Sequence, residues 1–380
     1  MALFKKERTF WVIFDTSQYP AYYRDVHDLI AAPKGYVLRY QYRDALLAES
    51  AWEHVQANRE LPILFLYAQK SSEYRREETK SLPSNDNAPT LFILTRVGRM
   101  RHMVREGGKV YFDFEVESYP DNNKATAINE LMSPLVSSSE VPWTKWVTVS
   151  NNYELFQQLC AGSDEDNWRC LVELLGKSPI QFANDAFWRI KGPFLKNGKV
   201  VSAAARKVKV NGEVRRITSE YRWKENSLGF LQLVSSAPTQ VSPHRPQYAV
   251  EAKVSGSEKL KIVGSGTYAL RHYDEKPIEY TTLEMSPFRT DSADLILQTV
   301  PTSESWTAGP RLEMRHVIRK GHMISLLGIA SGLAGLGLTT LGGSKLFEND
   351  ALNGVKILLI GLLLLTGAKY MLTGKLEFGK

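Results

Sequence analysis

The sequence predicts an α+β chain that is mostly β and ends in a transmembrane helical hairpin. Short apolar runs rich in β-formers recur between Gly, Pro and Asn turns. Helical periodicity is confined to a few segments. About sixty residues from the end, the composition changes to two apolar stretches joined by a polar loop. Met323 to Leu341 carries no charge, and Ile357 to Leu372 is interrupted only by Lys369. Stretches of this kind are expected to span the ~30 Å hydrocarbon core of a bilayer. Neither has a polar face, which argues against a buried hairpin in a globular core.

The pattern divides the chain into an α+β N-terminal domain at 1–150, a helical connector at 151–181, a β-rich sandwich or barrel at 182–320, the membrane hairpin at 321–373 and a tail at 374–380. In the first, FWVIFDT, LPILFLYA, PTLFILTRVG and KVYFDFEVESYP read as strands. RDALLAESAWEHV places Leu46, Leu47, Ala51, Trp52 and Val55 on one helical face. The polar stretch from Ser71 to Thr90 reads as a surface loop. In the connector, Asn151 or Asn152 is expected to cap one helix, and Asp164 or Asp166 the next. The strands then resume from about Phe182, spaced by turn residues, as in sandwiches and barrels.

The N-terminus lacks the apolar stretch and cleavage site of a secretory signal. Arg311, Arg315, Arg319 and Lys320 precede the first apolar segment, and Lys369, Lys375 and Lys380 stand at or beyond the end of the second. By the positive-inside rule both termini are expected in the cytoplasm, giving a two-helix protein of the bacterial inner membrane. The net charge of +7 suits an anionic surface or a polyanionic partner. Cys160 and Cys170 form no CxxC pair, which argues against a disulfide scaffold and a structural zinc.

Two basic segments are the candidate ligand sites. ARKVKV, Asn211-Gly212 and EVRRIT form a hairpin bearing Lys207, Lys209, Arg215 and Arg216. Its Asn-Gly pair predicts a type I′ turn, with Val210 opposite Glu213 and Lys207 opposite Arg216. Opposed cations repel, and a bound anion would offset that. The plainer alternative is a solvated edge whose cations discourage aggregation. In GYVLRYQYRDALL, Arg39 and Arg43 alternate with Tyr40 and Tyr42, residue types that suit phosphates and stacked bases, although the tyrosines also fit a core.

HExxH, GxxxxGK[ST] and GxSxG are absent, the histidines lack metal-site spacing, and no catalytic residue, cofactor or metal is assigned. In the first apolar segment, Gly328 with Gly332 and Ser331 with Gly335 form small-xxx-small patterns, and Thr339 and Thr340 follow. Such residues allow close helix approach, either within the chain or between subunits around a pore.

The domain order and glycine-bearing hairpin resemble membrane effectors of bacterial anti-phage, abortive-infection systems, in particular Hailong-type effectors. That resemblance implies an oligomeric channel controlled by the oligonucleotide product of a partner nucleotidyltransferase. YAVEAKVSGSEKLKIVGSGTYAL and the helix after it also resemble the membrane-anchored domain of GIDE-type ubiquitin ligases; the chain lacks RING cysteines, so ligase activity does not carry over. The expected function is an oligomeric membrane effector opened by a nucleotide, oligonucleotide or protein signal. The alternative is a non-conducting membrane-anchored scaffold, and an anchored hydrolase would need a site assembled from dispersed residues.

Overall fold

The computed structural model describes residues 9–15, 20–57, 61–70, 89–136, 145–177, 182, 185–236, 248–286, 289–300, 310–320, 322–347 and 351–373. The expected loop at Ser71 to Thr90 falls almost wholly outside them. The first unit contains β1 (Phe10–Asp15), α1 (Pro20–Ala31), β2 (Val37–Arg43), α2 (Glu49–Ala57), β3 (Pro62–Lys70), β4 (Pro89–Glu106), β5 (Lys109–Val116), α3 (Ala125–Val136) and β6 (Val147–Ser150). Its strands form one sheet in the order β2-β5-β4-β3-β1-β6, with β1 parallel to β3. β1 is buried along its whole length because both faces of the sheet are covered there, which explains its unbroken apolar run. Phe10, Val12 and Phe14 pack with Leu131, Met132, Leu155 and Phe156, while Trp11 and Ile13 join Phe65, Phe112 and Phe114.

The helix expected over RDALLAESAWEHV is interrupted. Asp44–Leu46 forms a 3₁₀ turn, Leu47 is extended, and α2 begins at Glu49. Backbone pairing wins over helical periodicity here: the Ala48 N–H donates to the Val147 carbonyl at 2.9 Å, and the Trp146 N–H to that of Leu46 at 3.0 Å.

The connector consists of α4 (Tyr153–Leu159) and α5 (Asp164–Lys177). Asn152 caps α4 by accepting the Leu155 N–H at 3.2 Å. At α5 the Asp166 N–H donates to Ser163 Oγ at 3.5 Å. Asp164, already inside the helix, instead accepts the Tyr119 N–H at 2.9 Å and pairs with Arg189 at 3.1 Å.

The β-rich part holds β7 (Phe187–Leu195), β8 (Ala203–Val210), β9 (Glu213–Lys224), β10 (Leu228–Ser236), β11 (Ala249–Ser255), β12 (Leu260–Ile262), β13 (Thr267–Ala269), β14 (Asp274–Thr282), β15 (Thr290–Val300) and β16 (Arg311–Arg319). They form two sheets, β12-β14-β10-β7 and β13-β11-β15-β16-β9-β8. Residues of both share one core, and Trp223 of β9 meets Tyr280 of β14 edge to face at 5.2 Å. β9 and β16 also tie this part to the first unit. The Val37 N–H donates to Ser219 Oγ and the Ile217 N–H to Asp113 Oδ2, both at 2.7 Å, and Tyr36 Oη donates to the Glu313 carbonyl at 2.9 Å.

Two further helices, α6 (His322–Phe347) and α7 (Ala351–Thr373), pack against each other. Here the expected fold class and location are corrected. Among the described residues no helix is long and apolar enough to cross a membrane, so the transmembrane hairpin and the two-helix inner-membrane placement are not supported. In α7, Lys356 and Lys369 bracket the charge-free run Ile357 to Ala368. That run is about 18 Å long as a helix, against ~30 Å of hydrocarbon. In α6, Ser331, Gly332, Gly335, Gly337, Thr339, Thr340, Gly342, Gly343 and Ser344 dilute the leucines. Of the cations used as orientation signals, Arg311, Arg315 and Arg319 belong to β16, and Lys320 beside it is buried.

Candidate functional site

The fold brings the two basic segments to one junction, although about 170 residues separate them in sequence. Asn211 and Gly212 form the β8–β9 turn with φ of 51° and 84°, the left-handed geometry of a type I′ turn. Val210 faces Glu213 as the turn dictates, but a bulge between Val208 and Lys209 shifts the register beyond it. Arg216 therefore lies opposite Val208, and Lys207 opposite Ile217. The extra residue removes the cation–cation opposition expected from the sequence.

Arg39 reaches across from β2. Its Nη1 donates to the Arg215 carbonyl at 3.1 Å, its Nε lies 3.8 Å from Asp113 Oδ1, and its guanidinium sits 4.9 Å from the Tyr111 ring centre. Asp113 is only 1% exposed. Burial raises its pKa, while the Ile217 N–H and the nearby charges of Arg39, His102 and Arg216 act in the opposite direction. His102 Nε2 meets the Val214 carbonyl at 2.9 Å. Arg215 pairs with Glu213 at 3.2 Å and Glu106 at 3.6 Å.

The six candidate cations therefore separate into two groups. Arg39 and Arg215 are held in contacts that join the two β units, and Arg216 lies close enough to Asp113 to affect it. Arg43, Lys207 and Lys209 have no acidic partner among the described residues. Arg43 lies directly opposite Lys109, a like-charge pair, and both are exposed. Tyr40 and Tyr42 are buried and stack within the core, so they are not available to stack on bases.

Neutralising Arg43, Lys207 and Lys209 together is expected to weaken binding of a short anionic oligonucleotide and reduce its salt slope by up to about 2. Fluorescence anisotropy at several salt concentrations measures this. An unchanged slope in a folded variant would remove these cations from any polyanion site.

The small residues of α6 have a different role. A Cβ on Gly335 would lie 2.9 Å from the Gly361 carbonyl oxygen, and one on Gly361 would lie 2.8 Å from the Thr339 backbone nitrogen. A Cβ on Gly332 would meet that of Ala368 at 3.5 Å. The close seam is thus within the chain, between α6 and α7. Thr339 and Thr340 donate to the Gly335 and Leu336 carbonyls of their own helix at 3.0 and 2.8 Å. Ser331 is half-buried, and the surroundings of Gly328 lie outside the described side chains.

Three buried polar groups lie outside the sites expected from the sequence, which places Arg96 on a cationic surface with Arg99, Arg101 and Arg105. His27 of α1 and Asp185, 158 residues later, approach to 3.0 Å, with Phe187 stacked on the imidazole at 5.1 Å. Burial lowers the His27 pKa to about 3 and raises that of Asp185 to about 7. We take the 3.0 Å pair to hold one shared proton, because low polarity disfavours two charges more than it disfavours a neutral hydrogen bond. His316 is enclosed by Tyr221, Trp223 and Tyr280, with ring centres 5.2–5.8 Å away. Arg96 is the third. No local motif announces groups brought together from distant segments.

Among the described residues no cluster of three or more His, Cys, Asp or Glu could hold a metal ion. Cys160 and Cys170 are free, and burial pushes the Cys160 thiol up to about 12. No protein-family model and no curated protein matches this chain.

Proposed function

We propose that this protein is a self-assembling effector or scaffold with no catalytic chemistry of its own. In this reading the apolar hairpin carries assembly, while the β units receive an anionic signal or partner at Arg43, Lys207 and Lys209. An oligonucleotide made by a partner nucleotidyltransferase is one signal of that chemistry.

The observation carrying this reading is the outer surface of α6 and α7. Their small residues face one another, leaving large apolar side chains outside: Leu333 and Leu363 are 67% and 71% exposed, and Leu336, Leu341, Leu359 and Ile360 are each more than half exposed. A continuous apolar surface of this kind is costly in water and calls for a partner. A second hairpin is self-complementary to it, as closed homo-oligomers require.

Replacing Leu333, Leu336, Leu359 and Leu363 by glutamine is expected to convert an oligomer to a monomer while circular dichroism stays unchanged. Light scattering on the size-exclusion peak measures the mass. A wild-type protein that is monomeric, or that binds lipid vesicles only as a monomer, would overturn the reading.

A further inference from the structure

Arg96 of β4 is only 2% exposed and has no carboxylate partner among the described residues. Its Nη2 donates to the Ala32 carbonyl at 3.1 Å, just beyond the end of α1, and its guanidinium lies 3.7 Å from the Tyr119 ring centre. Nε and Nη1 are buried with no hydrogen-bond partner. Nearby are two more orphaned donors, Nε of Arg189 on β7 and the indole N–H of Trp168 on α5. The Arg189 guanidinium lies 5.3 Å from the same Tyr119 ring and 4.9 Å from that of Trp168.

Two features separate this cluster from the polar atoms around His316. The orphaned groups of Arg96, Arg189 and Trp168 are all N–H donors and call for an acceptor; the one orphaned acceptor beside Arg189, Glu165 Oε1, belongs to a carboxylate already paired with Arg189 and Lys191, whereas the histidine and tyrosines of the other cluster can both donate and accept. The negative charge is also unevenly shared. Asp164 and Glu165 pair with Arg189, and Lys191 meets Glu165 at 2.7 Å and Glu275 at 3.1 Å, so none of these carboxylates serves Arg96. Arg96 has only the C-terminal end of α1, equivalent to roughly half a negative charge. Stacking on Tyr119 offsets some of the cost, but it gives neither in-plane N–H group an acceptor.

We infer that Arg96 is the centre of a buried site for a small inorganic anion, a phosphate-class oxyanion or a halide, beside Tyr119 where β4, β7 and α5 meet. The anion would complete the charge of Arg96 and accept its free N–H groups. It would also join the N-terminal unit to the connector and the first strand of the β-rich part.

The test compares thermal midpoints of the full-length protein in sodium phosphate, sodium chloride and sodium gluconate at equal ionic strength. An occupied site is expected to raise the midpoint in phosphate or chloride by about 3 °C or more over gluconate, the bulky organic anion of the three. The responsive salt identifies the anion. Arg96→Met should abolish the rise, and Arg96→Lys should retain part of it. Equal midpoints in all three salts would overturn the site, as would an undiminished rise in Arg96→Met. If Arg96→Met does not fold, Trp168→Phe provides a second test. It removes one donor and keeps an aromatic ring, so the half-saturating anion concentration should rise several-fold; no change would overturn the assignment.

Discussion

Asp185→Ala is expected to destabilise the fold by about 3 kcal/mol, because it removes the carboxyl that meets the buried His27 imidazole at 3.0 Å. Asp185→Asn keeps a polar group at 185 and should cost less. Urea unfolding followed by tryptophan fluorescence measures both. A His27→Ala, Asp185→Ala double variant should cost less than the sum of the single changes, because the two groups form one unit. Strict additivity would show that the 3.0 Å contact contributes nothing.

The same region sets a pH dependence. Burial raises Asp25 to about 6 and both Asp28 and Asp185 to about 7, each from 3.8. A carboxyl raised in the fold binds its proton more tightly there than in the unfolded chain. Its contribution to stability is therefore full below about pH 3.8 and is lost as pH rises through 6 to 7. His27 and His316, lowered from 6.5 to about 3, act in the opposite direction: their contribution is present above 6.5 and is lost as pH falls toward 3. Between about pH 4 and 6.5 the two effects oppose each other. Above 6.5 only the carboxyls act, so stability should fall through about pH 7, by up to about 1.4 kcal/mol per pH unit for each proton released, and level off beyond it. Asp28→Asn keeps an acceptor for the Arg311 N–H and should flatten this decline. A midpoint that does not fall between pH 6.5 and 8 would refute this account.

Opening the helical seam is the second large effect expected. Leucine at both Gly335 and Gly361 puts side chains where Cβ atoms alone would come within 2.9 Å of backbone, so the helices must separate. Overpacking of this kind costs about 1–3 kcal/mol per site. A cross-link reports the seam directly. The 3.5 Å Cβ separation of Gly332 and Ala368 suits a disulfide, so Gly332→Cys with Ala368→Cys should oxidise readily once Cys160 and Cys170 are replaced by serine. Adding Gly335→Leu and Gly361→Leu should abolish that cross-link. Equal cross-linking in the two backgrounds would mean that the glycines do not set the approach.

Local chemistry made much of this molecule legible from its residues. FWVIFDT and LPILFLYA read as strands because β-branched and aromatic side chains fit a pleated, buried surface. Asn211-Gly212 specified its turn because few other pairs accept left-handed geometry at two successive positions. Asn152 marked the start of α4 because its side chain supplies the acceptor that a helix end lacks. The small residues of α6 announced a close helix contact.

Tertiary structure decided what those features meet. The α6 glycines close on α7 of the same chain, and the expected membrane crossing is not supported among the described residues. The bulge after Val208 shifts the register of β8 against β9, next to where Ile217 bonds Asp113 of β5, so the pairing of Lys207 and Arg216 could not be read from the turn alone. Arg39 with Arg215, His27 with Asp185, and Arg96 with Tyr119 join segments far apart along the chain. A residue's propensity reflects its neighbours in sequence, whereas burial, pKa and pairing depend on neighbours in space, and only the assembled sheets bring those together.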